Sequence, residues 1–421
     1  MKQTIKINYG KEILSLSIRE DALKYELKPV DIKPVDDNSK EVLRSLSNPI
    51  NSKRLKEIVK KGDKVVIMVD DVTRLTPANL ILPPVLNEIN EGGVPDNDIL
   101  IVIALGTHRP MNQDEINNKY GDVVVKRVKI INHNYLDLDN LKHYGTTRRG
   151  TDIWVSRLVV EADVRIGIGN IVPHFPTGWS GGAKILLPGV AGEHTTGQYH
   201  LLGATEQLLG QTETPCREEM EDFAAITGLE FIINTVLDKN GMIVRMVAGH
   251  FIDAHREGVS WGRKVFGVPY AEKTDITISS SFPVDHDLFQ SSKGIFSGVI
   301  STKKGGELIL LSPCYEGVSP THQEVIDLAH FSSEELFKMA RDPHNKHDML
   351  SITAALYFNG VTDNFKITLV SEGIPDEIVR KLKFNPIKVS QLQEYLDSIM
   401  EGNRLSVGLI HNSAETLPIE A

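Results

Sequence analysis

The chain has 421 residues and a mass of 46.7 kDa, enough for two or three domains at about 150 residues each and for a core that needs no metal or disulfide staple. Lys and Arg total 46 against 56 Asp and Glu, a net charge of −10, and no basic run is present, which argues against nucleic acid or an anionic membrane as the main partner. Two cysteines, Cys216 and Cys314, cannot form a disulfide framework and fit a reducing compartment.

The N-terminal stretch MKQTIKINYGKEILSLSI alternates polar and apolar residues like a strand pair, not like a signal-peptide core. The longest apolar runs are about eight residues, short of the ~20 that cross a bilayer, so a cytoplasmic protein is expected. KVVIMVDD (64–71) reads as a buried strand, with Thr76 as N-cap and Pro77 opening a helix that bends or restarts at Pro83 and Pro84. A second strand, 96–108, ends in Gly106-Thr107-His108-Arg109, and Pro110 opens the next helix. Residues 122–132 and 163–170 read as further strands. EHTTGQYHLLGA and TPCREEMEDFAAITG are helices, and Lys239-Asn240-Gly241 between two apolar runs signals a hairpin.

A second cycle starts near residue 273, with strands at 274–281, 305–313, 365–372 and 405–412 separated by helical patterns. The expected fold class is α/β: two α/β domains with mainly parallel sheets and an inter-domain active-site cleft. Residues 1–272 would form the N-terminal cofactor-binding and catalytic domain, and 273–403 a C-terminal α/β domain that closes over the site.

In open α/β sheets, ligands bind beyond the carboxyl ends of the strands. Four polar groups fall there: Asp71 and Arg74, Gly106 to Arg109, Asn170 to His174, and Asp285 to Lys293. The segment 177–200 adds Gly178, Gly181 and Gly182 before Lys184. Ala183 and Ile185 flank that lysine, so the Gly-Lys-Ser/Thr of a nucleoside-triphosphate loop is missing. A lysine leaving such a turn suits an amine nucleophile, or else a lysine snorkelling at a helix start. His200 is a solitary candidate ligand with no HExxH or CxxC near it. Any metal would draw most of its donors from a non-protein group.

DDVTR (70–74), GTH (106–108), PH (173–174), SGGAK (180–184) with PG at 188–189, His200, and Gln290 with Lys293 resemble, in order and spacing, the nickel-dependent lactate racemase family. The resemblance spans essentially the whole chain. It implies a racemase or epimerase that inverts C2 of a 2-hydroxy acid with a nickel-pincer nucleotide, a Ni(II)-bound pyridinium mononucleotide with thioamide and thiocarboxylate arms. By likeness, Lys184 forms the covalent thioamide link and His200 is the metal ligand. Asp71, Val72, Thr73 and Arg74 match the cofactor-contacting segment, and His108 and His174 the paired catalytic bases. Gln290 and Lys293 match the binders of the substrate carboxylate, with Arg74 assisting. The resemblance further implies cofactor-maturation proteins as partners, a monomer or small homo-oligomer, and a tail (404–421) that returns to the first domain, with LSVGLIHN as the crossing strand.

Two opposed histidines suit this chemistry. A neutral imidazole titrates near pH 6.5 and can take a hydroxyl proton and return it. A racemisation that treats both faces of a ketoacid alike calls for one base per antipode. Trp179, Leu75 and Phe289 depart from the lactate-type pattern, which leaves lactate or a larger acid such as an aldonate as substrate. Arg109 is expected to pair with a helix carboxylate, and His286 to join a helix-capping cluster. Three other readings stay open: Lys184 as a pyridoxal-phosphate Schiff base, a two-domain organic-acid binding protein without turnover, and a cofactor-free racemase using Cys216 and Cys314.

Overall fold

Lys2–Tyr9 and Glu12–Arg19 pair antiparallel in the register Lys2↔Arg19, as the alternation of the first residues predicts. The structure is a computed structural model and describes residues 1–204, 207–342 and 344–421. Two six-stranded sheets dominate it. The first runs, edge to edge, Ile243–Gly249, Phe231–Leu237, Val164–Asn170, Val65–Val69, Ile99–Ile103 and Lys129–Asn132. All its neighbours are parallel except the edge pair Phe231–Leu237 and Ile243–Gly249, the hairpin signalled by Lys239-Asn240-Gly241.

The central strand Val65–Val69 is apolar and buried at every position, because helices cover both faces of the sheet. Ile67 and Val69 face Ile81, Leu82, Val85 and Leu86. Val66 and Met68 face Trp179, Leu186, Met220 and Phe223. At ~25 cal/mol per Å², burial of these side chains is the main favourable term that holds strand ends, and the loops leaving them, in place.

The second sheet is wholly parallel, in the order Asn385–Ile387, Lys366–Val370, Thr302–Leu311, Thr274–Ser280, Val407–Ile410 and Leu23–Leu27. The chain therefore begins in the second sheet, builds the first, and returns. The strand expected to cross back, LSVGLIHN, stands inside the second sheet, between Thr274–Ser280 and Leu23–Leu27. Leu417–Glu420 instead runs beside Gly267–Tyr270.

Three local expectations are corrected. Residues 122–132 are not one strand: Asp122–Arg127 is a helix and only Lys129–Asn132 is extended. Gly121, at φ +80°, starts a new turn there, and Val124 packs into the core. The helix Ala78–Glu91 continues through Pro83 and Pro84, because burial of Ile81, Leu82, Val85, Leu86 and Ile89 outweighs the lost backbone bonds. Thr76 is not its N-cap; Pro77 holds that position and the Thr76 hydroxyl donates to Asp70. No helix among the described residues is long and apolar enough to cross a membrane.

Candidate active site

Val65–Val69 delivers Asp70 and Asp71 to the carboxyl edge of the first sheet. Asp71 accepts the Thr73 amide at 3.0 Å, the Thr73 hydroxyl, and His108 Nδ1 at 2.7 Å. Burial alone would raise its pKa, but the His108 hydrogen bond and the charges of His108 and Arg74 hold the carboxyl well below the usual range. Asp70 faces Lys119 Nζ at 3.4 Å. That lysine also donates to the carbonyls of Arg74 and Thr76, stapling the 70–76 loop. Val72 is partly exposed at the loop's outer side.

His108 follows the strand Ile99–Ile103 through a turn in which Gly106, at φ +58°, donates to the Gly189 carbonyl. Asp71 is ionised, so His108 donates Nδ1–H to it and leaves Nε2 with a bare lone pair. Arg109 points away and pairs with Glu115, as expected.

His174 sits in a tight hairpin, Pro173–His174 against Gly178–Trp179. The Thr177 hydroxyl lies 3.1 Å from His174 Nδ1 and donates its proton to the Trp179 carbonyl at 2.7 Å. A hydroxyl has one proton to give, so the Nδ1 of His174 is the donor and Nε2 is again bare. Burial, then the charges of Lys184, Lys293 and Arg74, push this imidazole well below its ordinary pKa.

The glycine loop that follows is shaped by close contacts. A Cβ on Gly178, at φ +74°, would stand 1.9 Å from the Gln211 carbonyl oxygen. Its carbonyls are gripped from below: the fully buried Arg217 donates to those of Trp179 and Gly181, and His255 Nε2 lies 2.9 Å from that of Ser180. Asn234 accepts the Gly182 amide at 2.8 Å. Lys184 therefore leaves a rigid turn. No hydrogen bond or carboxylate pairs with its Nζ among the described residues. Burial and the nearby charges of Arg74, Lys293 and Arg217 push its amine well below the lysine range.

Glu193–Leu201 carries His200, whose Nδ1 lies 2.8 Å from the Thr196 carbonyl. The carbonyl can only accept, so Nδ1–H donates and Nε2 is free. Burial takes this imidazole down to about 4. From the second sheet, the helix Leu288–Ile300 starts at the N-cap Asp287 and presents Gln290 and Lys293, joined at 2.8 Å. Burial first, then Arg74, lowers the Lys293 amine to about 7.

Arg74 and Lys293 act on Lys184, Arg74 acts on Lys293, and all three act on His174, so loops from both sheets meet in one place. His174, Lys184, His200 and Lys293 keep some accessible surface while being strongly desolvated; they line a recess. Arg74, Lys184 and Lys293 stand together here, with Asp71 on one side and Asp287 and Glu415 near Lys293, and the grouped basic side chains favour an anion. Trp179 is buried beneath it and donates to the Gly210 carbonyl, so it does not wall the recess. Cys216 and Cys314 are buried, and burial pushes the Cys314 thiol up to about 11, a poor acid or base at neutral pH.

Lys119, Thr177, Arg217, Asn234 and His255 support these groups and escape a reading of the sequence. Each lies outside the motif it props, and only the close Gly-rich spacing hints that something must brace the loop.

The segment 9–210 matches the family model described as the lactate racemase N-terminal domain. A lactate racemase from Thermoanaerobacterium thermosaccharolyticum is 32% identical over 321 residues, covering 74% of this chain and 75% of that protein. One from Lactiplantibacillus plantarum is 33% identical over 282 residues, 66% of each. The structure of the T. thermosaccharolyticum lactate racemase apoprotein superposes with a TM-score of 0.87 at 26% identity, covering 99% of this chain and all of that one. A Thermotoga maritima protein shares the fold, with a TM-score of 0.70 at 20% identity over 93% of this chain and all of that one. The fold and these relatives define an isomerase of the racemase class. More narrowly, the chain belongs to the lactate racemase family.

Proposed function

We propose that the protein inverts C2 of a 2-hydroxy acid, lactate or a larger relative such as an aldonate, with a nickel-pincer nucleotide tethered to Lys184. The observation that carries this reading is that His108, His174 and His200 each have Nδ1 engaged and Nε2 bare around one cationic recess. The cofactor fits what is there. Lys184 offers an amine without a carboxylate partner, and His200 offers one imidazole lone pair. No group of three or more His, Cys, Asp or Glu among the described residues could hold a metal, so the remaining donors would come from the cofactor.

Lys184 would hold the cofactor through the thioamide, His200 Nε2 would ligate nickel, and Asp71, Val72, Thr73 and Arg74 would contact the nucleotide. When bound, the cofactor supplies the electrophile that lets the C2 hydrogen leave with its electron pair. The chain's own residues do the rest. Lys293 and Gln290, with Arg74, hold the carboxylate. His108 Nε2 takes the hydroxyl proton from one antipode and His174 Nε2 from the other, and each returns a proton when its own antipode is re-formed. The recess shields the exchange from water once the second sheet's helix is seated over the first. We take the two sheets with their helices as two domains, with the site in the cleft between them, in a cytoplasmic protein served by maturation proteins.

The test is protein co-produced with the cofactor pathway. Nickel near one equivalent, an intact-mass adduct on Lys184, and interconversion of D- and L-hydroxy acids by chiral chromatography are expected. An unmodified Lys184 in active protein overturns the reading.

A further inference from the structure

A fourth imidazole, His322, lies close to His200 and to Phe289 and has no part in the scheme above. His322 is buried, and its Nδ1 lies 2.8 Å from Asp348 Oδ2. Asp348 is itself fixed: it caps the helix Met349–Thr362, accepting the Leu350 amide at 2.9 Å and the Ser351 hydroxyl at 2.6 Å. Its own amide donates to Glu324 at 2.7 Å. The ring of His322 stacks on Phe289, centroids 5.5 Å apart and planes 20° from parallel.

Phe289 immediately precedes Gln290, so the stack places His322 beside the groups assigned to the carboxylate. On the other side His322 is near enough for its charge to depress the basicity of His200. The helix Met349–Thr362 is tied to that side as well, through Tyr357, which donates to the His200 carbonyl at 2.8 Å. His322 thus lies between the carboxylate end of the recess and its metal-ligand end. Nδ1–H donates to the carboxylate, which leaves Nε2 as an acceptor, and no partner for it is found among the described residues.

A lone acceptor on an aromatic shelf next to the proposed carboxylate binders has little use for a methyl group. We infer that His322 Nε2 accepts a hydrogen bond from a hydroxyl on C3 of the substrate, making His322 a specificity-determining residue and the substrate a 2,3-dihydroxy or longer polyhydroxy acid. This rests on the proposed function for the placement of the carboxylate. A site built to bond a hydroxyl discriminates against the analogue that lacks it, because a desolvated polar group is then left unpaired.

The test uses the matured holoenzyme and two acids of one carbon skeleton, racemic glycerate and racemic lactate, with binding measured by calorimetry and interconversion measured separately. The wild type is expected to bind glycerate about tenfold tighter than lactate, and His322→Phe, which keeps the stack on Phe289, to bring glycerate down to the affinity of lactate. Equal wild-type affinities, or a variant that weakens both acids alike, overturn the inference. A glycerate preference that vanishes in the variant, without interconversion of either acid, upholds the His322 assignment and overturns the racemase reading. Binding of neither acid overturns both.

Discussion

His108 donates to the carboxylate of Asp71 across 2.7 Å, whereas His174, the other histidine assigned as a base, rests on the neutral hydroxyl of Thr177. A carboxylate stabilises the imidazolium that forms when the ring takes a proton; a hydroxyl only orients the ring. Burial and the charges of Lys184, Lys293 and Arg74 also weaken His174 as a base, so the two positions are not equivalent. For a true racemisation the two antipodes are equal in energy, so kcat/KM must be the same in both directions. The inequality is expected in kcat and KM taken separately, with different pH profiles of kcat for the D and L acids. Progress curves from each antipode, run between pH 5 and 9, check this.

Asp71→Asn removes the charge but keeps the shape. Loss of a carboxylate behind a catalytic histidine costs up to about 10⁴-fold in turnover in other enzymes, and a fall of about 10²-fold or more is expected here. Circular dichroism should show the fold intact, since Asp71 lies on a loop beyond the strand. Unchanged turnover would remove His108 from the scheme.

Thr177→Val leaves His174 Nδ1 without its acceptor and frees the ring to adopt the other tautomer. A loss of about tenfold in kcat is expected with little change in KM, and Thr177→Ser should restore it. Failure of serine to rescue would show that the threonine methyl, not the hydroxyl, matters.

Lys293 must be cationic to hold a carboxylate, and burial brings its amine to about 7. Carboxylate binding is therefore complete below that pH and weakens above it, by up to tenfold per pH unit until the complex itself titrates. KM should climb from pH 7 to 9 while kcat changes less. A KM independent of pH over that range would separate Lys293 from substrate binding.

Unloaded protein carries buried neutral imidazoles. His133 and His200 are both taken down to about 4 by burial, from an unfolded value near 6.5. Below pH 6.5 the unfolded chain binds more protons than the folded one, so stability is full above that pH and drains as it falls towards 4, by up to about 3 kcal/mol per group. Lys184, held well below its ordinary value, acts in the same direction at higher pH. Thermal unfolding of apo-protein is expected to shift upward from pH 5 to 8, and Lys184→Met to raise the midpoint at pH 7 while abolishing the mass adduct. A midpoint that falls in the methionine variant would show that the amine is paired.

The sheets were legible because Val65–Val69, Ile99–Ile103 and Val164–Asn170 are short apolar runs separated by helix-length patterns, and the polar clusters after them mark strand ends. Residues 122–132 read as a strand because Val123, Val124 and Val125 are β-branched, yet only one of their faces is buried and a glycine turn redirects the chain into a helix. The pairing of Val407–Ile410 with Leu23–Leu27 has no local signature: two edges nearly a chain length apart meet only because each completes the same sheet. For the same reason Arg217, which braces the loop from a distant helix, was invisible until the loop and helix were packed together.

The strand Leu23–Leu27 has a consequence for synthesis on the ribosome. Every strand of the first sheet lies between residues 65 and 249, so that sheet has all its partners before Val407–Ile410 is made. Leu23–Leu27 is made before the whole first sheet, and among the described residues its only partner is Val407–Ile410, made after it. An unpartnered edge must wait while the intervening chain is made, and strands in that state are aggregation-prone. Lys24 and Glu26 are the exposed positions of that segment, and charge on an edge strand is a device that disfavours pairing with another chain.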